Sequence, residues 1–277
     1  MNLSRRTEIV IRPGRQPLNQ SFAEFFEYRD LLFTLIRRQL SVKYKQTSIG
    51  IIWVIVQPLM TALIMTVVFG NFAKLPSDGI PYPVFAYSAM VLWNLFAQGV
   101  DRASGSLVAN QQLITKVYFP RLMIPIAAIG SCFVDFAMSL VVLLVIAFAY
   151  GFHFSIHLLL IPVLALTAGL LAAGIGILIS GLNVKYRDFQ HTVPFMMQIW
   201  LYASPVAYSA GIVSGPLKKL YFLNPMAGLI EWERFAITGQ GHPDPMAFVL
   251  AASIAISVLV VGIGVFRRVE PGFADFI

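Results

Sequence analysis

The sequence predicts an all-α integral membrane protein: six transmembrane helices, an N-terminal amphipathic interface helix and a re-entrant helical hairpin on the outer side. Three observations predict it. No Asp, Glu, Lys or Arg occurs from Gln46 to Ala73, Gly79 to Val100, Phe189 to Leu217 or Pro245 to Phe266, and the stretch from Leu122 to Val184 carries only Asp135. About 20 apolar residues cross a bilayer core, so four blocks hold one helix each and the long one holds two. With the N-terminus in the cytoplasm, sixteen of the twenty Lys and Arg residues fall on the inner side, leaving Lys74, Lys218, Lys219 and Arg234 outside. The inverse topology reverses that excess, so both termini are predicted cytoplasmic. Finally, the chain is 58% hydrophobic and 12% charged, against about 25% charged residues in soluble domains.

Residues 1–20 mix Arg, Pro, Gly and Asn without periodicity and read as a flexible cytoplasmic tail. Residues 21–45 follow as the amphipathic interface helix. Ser21 with Glu24 forms a capping box. Phe22, Phe25, Phe26, Leu32, Phe33, Ile36 and Leu40 recur at helical spacing, with Glu24, Glu27, Asp30, Arg37 and Arg38 off that face. This first part lacks a secretory signal's apolar core, so the first span is expected to act as an uncleaved anchor.

The membrane domain covers residues 46–268, with spans at about 49–72, 84–101, 122–150, 157–181, 192–210 and 246–266. In the fourth, Ala172, Gly176 and Ser180 at four-residue spacing permit close helix approach. Between the fifth and sixth spans lies an outer gate over about residues 214–240. Its main helix is capped by Asn224, starts at Pro225 and stops at Gly239, and a short helix from Pro216 to Phe222 precedes it. The main helix is too short to span, so it is read as re-entrant or interfacial. Residues 269–277 form a second cytoplasmic tail.

The net charge of +7 does not indicate a nucleic-acid partner, because the basic residues flank membrane ends where anionic lipids attract them. No GxxxxGK[ST] loop occurs, so the chain is not expected to be an enzyme that hydrolyses ATP by that chemistry. The paired glycines at Gly174 and Gly262 sit inside apolar runs and read as packing residues. His153 and His157 lack the further ligands a metal requires. The single cysteine, Cys132, excludes an internal disulfide. Asp135 is either functional, as intramembrane acids often are, or a carboxylate paired with a neighbouring helix or kept protonated. Asp101 and Arg102 sit at an inner helix end and need only solvation.

Aromatic residues make up 13% of the chain, and Trp53, Phe69, Phe85, Tyr87, Trp93, Phe96, Phe195, Trp200 and Tyr202 lie inside the spans. Such faces offer platforms for the C–H surfaces of a sliding sugar chain. They serve equally as lipid contacts and interface belts.

Four segments in order, Leu40 to Pro58 (LSVKYKQTSIGIIWVIVQP), Leu113 to Pro125 (LITKVYFPRLMIP), Asn183 to Pro194 (NVKYRDFQHTVP) and the NP pair Asn224–Pro225, make the chain resemble the ABC-type polysaccharide and polyol-phosphate export permeases. These are the membrane subunits of O-antigen, capsule and teichoic-acid exporters. The resemblance runs from about Phe22 to Arg268. It implies a homodimer in the cytoplasmic (inner) membrane, surrounded by membrane lipids and bound to two copies of a separate ATPase. ATP and magnesium would sit in that partner, and this chain would need no cofactor. It further implies contact with the ATPase through Arg37, Arg38, Lys116, Tyr118, Phe119 and Arg121, supported by Tyr186, Arg187 and Asp188. Asn224, Pro225, Glu231, Trp232, Glu233 and Arg234 would form the outer gate, the charged ones at its rim. The cargo implied is a lipid-linked glycan or polyol-phosphate polymer. The alternatives are an ABC-type permease for small lipids or drugs and a membrane-embedded transferase acting on lipid-linked sugars. The transferase should show clustered carboxylates at a membrane face, and the inner loops offer only Asp101 and Asp188.

Overall fold

The computed structural model describes residues 28–45, 50–116, 119–153, 155–213 and 215–275, which are helical without a strand. The expected tail over 1–20, the Ser21 capping box, Phe22, Phe25, Phe26 and Tyr118 lie outside the described residues. Helix α1 spans Arg29–Lys45 and packs its Leu31, Leu35 and Ile36 side against the bundle. Phe33, assigned to the apolar face, is instead exposed. Helix α2, Gly50–Met65, continues as a π-helical segment over Thr66–Phe72. Pro58 sits inside α2, where its missing N–H loosens the ladder.

Helix α3, Tyr82–Ala109, is the most buried element. It runs past the predicted end at 101 because its polar residues find partners. Arg102 turns to Asp135, and the Ser104 carbonyl accepts from Asn183 at 3.1 Å. The short α4, Gln111–Lys116, leads to α5, Met123–Ala149. A turn at Gly151, whose φ of +87° suits glycine, separates α5 from a 3₁₀ segment and α6, Ile161–Lys185. The long apolar run is therefore two helices, as expected.

The small residues of α6 serve close packing. A side chain at Gly176 would meet the Ala103 Cβ of α3 at 2.5 Å, and one at Gly262 would meet the Gly174 carbonyl oxygen at 2.2 Å. The backbones of α6 and of α10, Pro245–Val269, thus approach closely.

Helix α7 covers only Phe189–Tyr202, fourteen residues, against the predicted 192–210. Turns over 203–209 and a 3₁₀ turn at Ala210–Ile212 follow, because Pro205 cannot donate to a continuing ladder. Helices α8, Pro216–Tyr221, and α9, Pro225–Thr238, match their sequence boundaries. The Asn224 side chain accepts from Met226 N–H, and Gly239 ends α9 in the left-handed conformation at φ +67°. Asp244 caps α10 in the same way, and a 3₁₀ segment, Glu270–Asp275, ends the described chain. Among the described residues, four helical stretches, 55–72, 123–149, 156–185 and 245–273, are long and apolar enough to cross a membrane.

Candidate functional site

At the end of the bundle that carries α1, three side chains converge on the Asp135 carboxylate of α5. Lys43 Nζ of α1 donates to Oδ2 at 2.6 Å, and Arg102 Nη2 of α3 donates to the same oxygen at 2.8 Å. The Tyr44 hydroxyl of α1 donates to Oδ1. Arg102 also reaches Ser131 Oγ at 3.2 Å. Asp135 is buried, and a carboxylate out of water requires such donors. The structure selects the paired-carboxylate alternative for Asp135. It also corrects the view of Arg102 as merely solvated, since Arg102 is half-buried and ion-paired. Lys43 and Tyr44 were missed. The available signal was that the one acid deep inside a predicted span had basic residues at two adjacent span ends.

The residues assigned to ATPase contact divide by environment. Arg37, Arg38 and Lys116 are exposed, as are Tyr186, Arg187 and Asp188. Asp188 precedes α7 without a side-chain capping bond. Phe119, by contrast, is buried among Leu35, Met123, Ile124 and Phe273. Arg121 faces inward as well. Its Nη1 donates to the Glu270 carbonyl at 2.9 Å, and its guanidinium lies 5.6 Å from the Phe273 ring centroid. The loop before α5 is thereby fastened to the segment after α10, a link sequence reasoning did not propose.

At the opposite end, Asn224 holds α9 to the end of α7. Its Oδ1 accepts from Trp200 Nε1 at 2.9 Å as well as from Met226 N–H, while Nδ2 donates to Ser204 Oγ at 2.9 Å and Ala203 O at 3.2 Å. Pro225 is buried at the first helical position. Glu233 and Arg234 were placed on a polar rim, yet both are buried, with relative exposures of 0% and 5%. Arg234 donates to the carbonyls of Pro205 at 2.7 Å, Val206 at 3.1 Å and Phe85 at 3.3 Å. Its guanidinium also lies 3.4 Å from the Phe85 ring centroid. The Glu233 carboxyl has no hydrogen-bond partner among the described residues, and burial pushes its pKa well up. Glu231 and Trp232 remain half-buried. Glu231 lines a cavity of about 850 Å³ together with Asp78, Lys218, Arg234 and His242. Burial also raises the Glu231 carboxyl, which Arg234 and Lys218 partly offset.

The nine aromatics separate in the same way. Phe85, Tyr87, Trp93 and Phe96 are buried inside this one chain and pack its core. Trp200 is half-buried, its ring edge-to-face with Phe96 at 5.1 Å. Phe69 is half-buried, and Trp53, Phe195 and Tyr202 are exposed. These last three present ring surface to whatever surrounds α2 and α7. The His157 ring lies tilted against Phe235 with centroids 4.7 Å apart, and no cluster of metal-ligating side chains occurs among the described residues.

Comparison with known proteins matches residues 30–237 to the model of the ABC-2 type transporter family. The chain is similar to the O-antigen export system permease protein RfbA of Myxococcus xanthus, 26% identical over 92% of this chain and 98% of that protein. The similarity to the polysialic acid transport protein KpsM of Escherichia coli is 21% over 85% and 92%. For the capsule polysaccharide export inner-membrane protein CtrC of Neisseria meningitidis it is 20% over 86% and 90%.

Proposed function

The chain belongs to the ABC-2 type transporter family, and from that premise we propose that it is the permease subunit of an ATP-driven exporter that moves a lipid-linked polysaccharide outward across the cytoplasmic membrane. The observation that carries this reading is similarity over nearly the whole length of relatives named for O-antigen and capsule export. The absence of a GxxxxGK[ST] loop from the sequence agrees with hydrolysis in a separate subunit, where ATP and magnesium would bind.

In the bilayer, α3 and α7 join the four apolar stretches to make six spans. At 28 residues α3 reaches about 42 Å, and α7 about 21 Å, so α7 needs the turns after it to complete a crossing. Helix α1 lies in the inner interface, and α8 with α9 form the outer re-entrant hairpin. Two copies of the chain enclose the path, each served by one ATPase copy, and both termini are cytoplasmic. The exposed rings of Trp53, Phe195 and Tyr202 suit sugar C–H faces along that path. ATP binding in the partner would shift the halves through its differential affinity for two arrangements.

Co-purification tests the reading. The chain expressed with the ATPase encoded beside it should co-elute in equal copies and hydrolyse ATP, whereas the chain alone should not. A chain that captures no ATPase removes the transporter reading. A complex whose hydrolysis responds to small lipids but not to lipid-linked glycan removes the polymer assignment only.

A further inference from the structure

We propose that the cavity between α1 and the adjoining ends of α3 and α5 binds the phosphate headgroup of an anionic phospholipid from the inner leaflet. The proposal rests on the permease reading only in placing this end of the bundle at the cytoplasmic membrane surface.

The cavity has a volume of about 520 Å³ and is walled by Arg38, Lys43 and Arg102. None of the described residues that line it is acidic. Asp135 accepts from Lys43 and Arg102 and offsets part of their charge. Arg38 takes no part in that cluster. The surplus charge therefore faces a partly enclosed, partly apolar space, where an anion is held more strongly than in bulk water.

The remaining surface indicates the kind of anion. Leu35, Leu40, Val42 and Ile124 line the cavity beside the cations, and a small hydrophilic anion leaves that apolar surface without a partner. A phosphodiester amphiphile covers both, with its headgroup oxygens on the cations and its glycerol and upper acyl carbons along the leucine and valine side chains. Gln39 and Asn110 add neutral polar groups at the rim. Basic pockets beside membrane helices on the cytoplasmic side suit such headgroups. A lipid seated here touches α1, α3 and α5 at once, so occupancy stabilises the docking of α1 by mass action.

Photolabelling tests this directly. The full chain, both alone and in complex with its ATPase, is placed in nanodiscs of phosphatidylcholine containing phosphatidylglycerol that carries a diazirine next to the headgroup, and adducts are mapped by peptide mass spectrometry, with the variant below read in the chain alone. Labelling is expected around Arg38 and Lys43 of α1 and around Arg102 of α3. Arg38→Gln should lower it about fivefold, the effect of one basic residue near a charged headgroup, while labelling of the exposed side of α10 stays constant. Unlabelled phosphatidylglycerol should compete; inorganic phosphate and phosphatidylcholine should not.

The proposal is overturned if adducts spread evenly over the exposed helices and ignore Arg38→Gln. It is also overturned if inorganic phosphate competes as well as the lipid, which marks a soluble-anion site, or if a polyprenyl diphosphate competes better, which marks a substrate port. All three outcomes are read without measuring export or ATPase recruitment, so failure here is separate from failure of the permease reading.

Discussion

Lys43 of α1 donates a 2.6 Å charged hydrogen bond to Asp135 of α5, joining residues ninety-two positions apart across two elements. The carboxylate is nearly dry, and its two cationic partners are about a quarter to a third exposed. Asp135→Asn removes the carboxylate that Lys43 and Arg102 share. Discounting for the exposure of the cations, the expected loss is ~2 kcal/mol, read as a lower melting temperature of the purified protein. Adding Lys43→Met should restore part of it, because the double variant removes one of the two charges. An Asp135→Asn protein as stable as the parent would remove the clamp.

The glycines of α6 and α10 give a test of packing. Replacing Gly262 with leucine forces a side chain into the Gly174 backbone, and no rotamer avoids a clash with main chain. Overpacking typically costs ~1–3 kcal/mol where neighbours can move, and here the neighbour is backbone, so a loss at or above that range is expected. Gly264, with open space around its Cα, is the control. Size-exclusion profiles of Gly262→Leu and Gly264→Leu should differ, with aggregation confined to the first.

Local signals in the chain were readable and distant ones were not. The limits of α9 were legible because Asn224, Pro225 and Gly239 act within a turn of themselves. The division of the long apolar run followed from its length alone. The early end of α7 had a local signal in Pro205, but the partner of the Pro205 and Val206 carbonyls, Arg234 almost thirty residues later, was not legible. Likewise, an aromatic residue inside an apolar run announces burial without saying whether protein or lipid provides it. Trp93 is enclosed by its own chain, while Trp53 is not. Glu233 defeats composition reasoning altogether, since a charged residue type is read as a rim until the fold shows it enclosed.

Arg121 offers a test of how the inner loop is connected. Its bond to the Glu270 carbonyl and its position over Phe273 fasten the loop to the segment after α10. Arg121→Ala removes both contacts. The expected outcome is faster proteolysis within residues 270–275 and ATP hydrolysis that no longer drives export, with the complex still assembled. Phe273→Ala should reproduce the proteolysis, because it deletes the ring that packs against Phe266 at 5.5 Å. Unchanged export in Arg121→Ala would separate this loop from coupling.

Asn224 satisfies four groups at once on α7, the turn after it and α9. Asn224→Ala removes the cap, worth about 1 kcal/mol, and leaves Trp200 Nε1 without its acceptor, at a further ~1 kcal/mol. Tryptophan emission should shift to longer wavelength as the indole finds water instead. Asn224→Asp retains the acceptor for Met226 and Trp200 but loses both donated bonds, so it should keep the emission of the parent and lose a smaller share of stability.

Glu233 should make stability depend on pH in an unusual direction. Its enclosed carboxyl, without a donor, has a pKa raised well above the ordinary 4.5, with Arg234 offsetting part of the rise. A carboxyl that holds its proton more tightly when folded adds stability that is complete below about pH 4.5 and is lost as pH climbs toward the folded-state value, because the folded form binds more protons across that window. Most structural carboxylates act oppositely. Glu233→Gln keeps the shape of the neutral acid and cannot ionise, so the variant should match the parent in mildly acidic buffer and exceed it at about pH 8. Melting curves of both proteins across that range provide the check. Parallel decline in the two would assign the pH dependence to other groups, whereas a parent that gains stability with rising pH would mean that Glu233 is ionised and paired in the folded protein.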